Sequence, residues 1–78
     1  MTKFEYTKCE KLMNEAIRNA EAANKEFINA DSCKDIIQKS ILLAQAHNYR
    51  GYAEGINQAL VCIGFKHELM SELEKLIS

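Results

Sequence analysis

Not one proline interrupts the 78 residues of this chain, and glycine occurs only at positions 51, 55 and 64. Proline and glycine are the residues that most strongly end a helix. A chain that omits one and rations the other is free to be helical nearly everywhere. The apolar residues agree. Cys9, Leu12, Met13, Ala16, Ile17, Ala20, Ala23 and Phe27 recur every three or four positions, which is helical rather than strand spacing. The spacing predicts a first helix over about 7–28. Thr2–Glu5, which fits a capping box, forms either its first turns or a separate arm with Tyr6.

The pattern breaks at Asn29-Ala-Asp-Ser32. Ser32 and Asp35 stand at capping-box spacing, so a second helix is expected over about 33–63. Its apolar stripe reads Ile36, Ile37, Ser40, Ile41, Ala44, His47, then Tyr52, Gly55, Ile56, Ala59, Leu60 and Ile63, with Gly51 as a place to kink. A four-residue link between amphipathic helices folds them antiparallel. Gly64 sits where a left-handed C-terminal glycine belongs. Phe65, Leu69, Met70, Leu73, Leu76 and Ile77 then predict a third helix over about 65–77. The reading is one all-α domain, residues 1–78: an antiparallel hairpin with an additional C-terminal amphipathic helix. A chain this short buries only about two-thirds of the surface its unfolded form exposes, so self-association into a homo-oligomer is expected.

Composition excludes several classes of function. Ten basic and eleven acidic side chains leave a net charge of -1. A DNA-backbone binder needs a basic face, so no DNA partner is expected. The longest uncharged runs, 40–49 and 55–65, fall short of the roughly 20 residues that span a bilayer. No apolar leader opens the chain. Three scattered cysteines, Cys9, Cys33 and Cys62, read as free thiols. These features predict a cytoplasmic protein without a membrane partner. His47 and His67 lie far from any cysteine pair, so no metal and no cofactor are expected. No nucleophile elbow, phosphate loop or paired carboxylates suggest catalysis.

What remains are binding features. Gly51-Tyr-Ala-Glu-Gly55, extended by Ala59, puts small residues on one helix face where another backbone can approach, within the hairpin or across a subunit interface. Tyr49 and Tyr52 flank Arg50 and could make an aromatic ledge beside a cation. The plainer reading has Tyr52 in the core and Arg50 paired with an acid. Phe4 and Tyr6, with Lys3, Lys8 and Lys11 around them, could seal the core, reach a neighbouring subunit or stack on a planar ligand.

Phe4-Glu-Tyr6, Glu15-Ala-Ile-Arg18 with Ala20, Lys39-Ser-Ile-Leu-Leu43 and Tyr52-Ala-Glu-Gly-Ile56 follow one another at suggestive distances. Over residues 4–57 the chain resembles the phage-encoded anti-CBASS cyclic-oligonucleotide sponges. The resemblance implies a helical-hairpin homo-hexamer that sequesters cyclic di- or trinucleotide messengers without cleaving them, in the host cytoplasm. It implies Tyr6 as the residue stacking on a base and Arg18 as the basic contact. Phe4, Lys8, Lys25, Arg50 and Tyr52 complete the candidate ligand-binding set. The chain departs from that family in lacking prolines after the aromatic and between the helices, and in its third helix. The competing expectation is a protein–protein interaction module, an inhibitor or adaptor, that docks through the uncharged helical segments.

Overall fold

The computed structural model describes all residues, 1–78. Three helices follow in order: α1 Lys3–Asp31, α2 Ile36–Cys62 and α3 Met70–Ile77. No strand forms. No helix is long and apolar enough to cross a membrane.

Each boundary has a local cause. Thr2 caps α1 with both halves of the capping box. The Glu5 backbone N–H donates to Thr2 Oγ1 at 3.1 Å, and the Thr2 N–H donates to Glu5 Oε1 at 3.0 Å. Residues 3–6 are therefore the first turn of α1, not an arm. At the other end α1 runs three residues beyond the expected 28, because Ser32 closes it. The Ser32 hydroxyl turns back onto the Asn29 carbonyl at 3.1 Å, so it is spent on α1. The cap of α2 falls instead to Asp35, whose Oδ1 accepts from the Ile37 and Gln38 N–H groups at 2.9 and 3.1 Å. The second helix thus starts at 36 rather than 33, and it passes through Gly51 unbroken.

The end of α2 is a complete Schellman turn. Gly64 has φ +77°. Its N–H donates to the Val61 carbonyl and the Phe65 N–H donates to the Leu60 carbonyl, both at 3.0 Å. The motif brings Phe65 back over Leu60, and both are buried. Residues 65–69 are spent on this turn and the link that follows, so α3 starts at Met70 and not at 65.

The hairpin is held by an alanine seam. Ala16, Ala20, Ala23 and Ala30 of α1 are buried, as are Ala46 and Ala53 of α2. Side chains this small let two helix backbones approach closely. The thicker core lies at the end where α3 folds back: Cys9, Met13, Leu60, Phe65, Met70 and Leu73 pack as one cluster. Two side chains dock the C-terminus of α3. Asn24 Nδ2 donates to the Leu76 carbonyl at 3.2 Å, and Arg50 Nη2 donates to the Ile77 carbonyl at 2.8 Å. These are last-turn carbonyls with no helical partner of their own. The result is a rod of 50 × 16 × 16 Å.

The apolar stripe read along the second helix is mostly not its core. Ala46, Ala53 and Leu60 face α1 and α3, while Ile37, Ile41, Tyr52 and Ile63 are exposed. Gly51 and Gly55 are exposed too, and a Cβ at either would meet nothing within 4 Å. The close approach inside the hairpin is made by alanines, and the glycine pair takes no part in it.

Candidate functional site

Two surfaces carry the sequence-derived candidates. The first is the end of the rod where α1 begins. Lys3–Lys8 form the first turns of α1, so Phe4 and Lys8 lie one turn apart on one face. The Lys8 ammonium stands 5.3 Å from the centroid of the Phe4 ring, a cation–π arrangement. Phe4 is 71% exposed. An open hollow of about 450 Å³ lies beside this pair, walled by Met1, Glu5, Cys9 and, from the end of α2, Ile63. Hydrogen bonding to Thr2 holds the Glu5 carboxyl below the usual carboxylate range.

Tyr6 looks the other way. Its ring packs on Phe65 at 5.2 Å and on His67 at 6.2 Å, and those two rings stack at 6.0 Å. This cluster pins the link between α2 and α3 onto the first turn of α1. Of the three roles open to Tyr6, sealing the core is the one made within a single chain, with part of its ring left exposed. His67 is fixed at both nitrogens. Its Nδ1 accepts from the Leu69 N–H at 3.0 Å, so Nε2 carries the hydrogen and donates to Glu10 Oε2 at 3.0 Å. The pairing of residues 10 and 67 had no signal in the sequence, because the turn at Gly64 creates it.

The other candidates are not brought to this end. Arg18 lies on α1 twelve residues after Tyr6, about 18 Å along the axis and roughly 120° round it. It is exposed. The structure does not bring Tyr6 and Arg18 together within one chain. Lys25 is further still along α1, and also exposed. Arg50 is engaged rather than free: its Nε donates to Glu54 Oε1 at 2.8 Å, and its Nη2 holds the Ile77 carbonyl. Here the plainer reading, pairing with an acid, describes the structure. For Tyr52 it does not, since Tyr52 is exposed. Tyr49 and Tyr52 form no ring pair.

The second surface is the outward face of α2. The three charged residues of this helix, Lys39, Arg50 and Glu54, fall within about 60° of one another. Ile37, Ile41, Asn48, Tyr52, Gly55 and Ala59 fall within about 60° on the far side. The sequence offered Ile41, Asn48, Gly55 and Ala59 within uncharged segments available for docking, and Tyr52 as a core residue. The signal that could have separated the two faces is the alanine seam of α1, which calls for alanines opposite it.

No family model, no curated protein and no solved structure matches the chain.

Proposed function

We propose that the chain is a non-enzymatic binding protein, an interaction module whose working surface is the outward face of α2. One observation carries this reading. From Ile37 to Ile63 the face bears no charge and leaves Ile37, Ile41, Tyr52 and Ile63 in solvent, Ile37 at 75% and Tyr52 at 51%. A helix exposed on its outer side is ordinarily polar there. An uncharged helix face that leaves isoleucines and a tyrosine in solvent, interrupted by Asn48, marks a place where another surface docks. Exposure of these side chains also means that substituting them tests binding without disturbing the core. Ile41→Lys is expected to abolish docking while circular dichroism stays unchanged. Retained docking with a charge in the middle of the strip would reject the reading.

A second reading, sequestration of a cyclic oligonucleotide, has its own support in the Phe4–Lys8 pair at the mouth of the 450 Å³ hollow. A bare aromatic face beside a cation suits a purine and its phosphate. Tyr6 and Arg18 would then serve the same ligand from different subunits. Calorimetric titration with cyclic di- and trinucleotides tests it. The expected result is saturable heat that Phe4→Ala and Arg18→Ala each weaken by about 1–3 kcal/mol. No heat at micromolar protein would remove this reading and leave the first untouched.

A further inference from the structure

We propose that the occupant of the outward face of α2 is the same face of a second copy, lying antiparallel with its two-fold axis at Asn48. This rests on the reading of that face as the working surface and names its partner.

Charge favours this occupant. A partner that covers the strip must bring no ionised group against it, because a desolvated unpaired charge is costly. The strip itself meets that requirement, since the charges of α2 all lie on the opposite side.

Side-chain size favours it too. In an antiparallel pair centred on residue 48, a residue n positions before Asn48 sits at the height of the residue n positions after it in the partner. That sets Ile37 at the height of Ala59, Ile41 at the height of Gly55, and Tyr52 at the height of Ala44. At these three levels a large side chain meets a small one. A parallel pair would set isoleucine on isoleucine and glycine on glycine, crowding some levels and leaving others empty. Gly55 has room for this: nothing lies within 4 Å of where its Cβ would be.

The area of the face sets the strength of the pairing. The strip from Ile37 to Ala59 is about 34 Å long and about 12 Å wide. Covering it on both copies removes about 800 Å² from water, the size of a weak, reversible contact rather than of a permanent one. Within the single chain only 12 of 78 residues are buried, so the monomer leaves this area to be used.

The test is mass by sedimentation equilibrium across a concentration series, with three chains. The wild type is expected at twice 8.9 kDa. Ile41→Lys alone and Gly55→Glu alone are each expected at the monomer mass with unchanged helix content. An equimolar mixture of the two variants is expected to recover the dimer, because only antiparallel pairing sets the new lysine of one chain against the new glutamate of the other. A wild type that stays monomeric up to about 1 mM, a concentration at which even a weak specific contact is populated, overturns the proposal. So does a mixture that fails to recover, or an oligomer that Ile41→Lys leaves intact. If the wild type is monomeric yet Ile41→Lys abolishes capture of some other protein, self-pairing fails while the working surface stands.

Discussion

Glu5 shows how a single side chain ties helix formation to pH. Thr2 donates to it and receives from its backbone, and that holds its carboxyl below the ordinary value of 4.5. A carboxyl lowered in the folded state contributes stability that is fully present above its unfolded value. The contribution is lost as pH falls through the lower folded value. Acidification below 4.5 is therefore expected to fray the first turn of α1 before the rest. Carboxyl chemical shifts of Glu5 followed by NMR check this: Thr2→Ala should move its midpoint up toward the ordinary value. A second residue is informative for the opposite reason. Asn57 leaves its Oδ1 buried without a hydrogen-bond partner. An unmet buried amide costs about 1–3 kcal/mol. Asn57→Leu, close to it in shape, is expected to raise stability by about 1 kcal/mol in urea unfolding, and a loss would show that the amide is satisfied in solution.

At the scale of elements, α3 is the dependent one. Eight residues cannot hold a helix in water on their own. It is held by Met70 and Leu73 in the core and by Asn24 and Arg50 on its terminal carbonyls. Arg50→Ala is expected to speed amide exchange across 70–77 while exchange at the centre of α1 stays slow. The overall cost should be about 1 kcal/mol, discounted because the Arg50 side chain is 43% exposed. Equal acceleration in all three helices would mean that α3 does not open separately.

At the scale of the molecule, the rod is uneven. Its thick end has Met13, Leu60, Phe65 and Leu73 together, while the end at the α1–α2 turn relies on Ala23, Ala30, Ala46 and an edge-on contact of Phe27 with His47 at 5.2 Å. Met13 is fully buried. Met13→Ala is expected to cost about 2–5 kcal/mol, enough to unfold much of a domain this small. Its thermal midpoint by circular dichroism measures the effect, and a shift of only a degree or two would place the stabilising centre elsewhere.

The sequence by itself determined the helices, the hairpin and the terminal signals. Missing proline, helical spacing and the Thr2–Glu5 box are local properties, and helix hydrogen bonds are local too. It was also sufficient for the alanine-rich inner face of α1 and for the left-handed Gly64. Which face of α2 turns inward was decided only in the tertiary structure. That helix is apolar on two sides, and periodicity counts residues without knowing what stands opposite them. The choice follows from fit: alanine against alanine brings two backbones close, and a Schellman turn at Gly64 commits Leu60 and Phe65 to the same side. The placement of Tyr6, Phe65 and His67 against one another, and of Arg50 on the end of α3, depends on that choice and on contacts between residues dozens of positions apart.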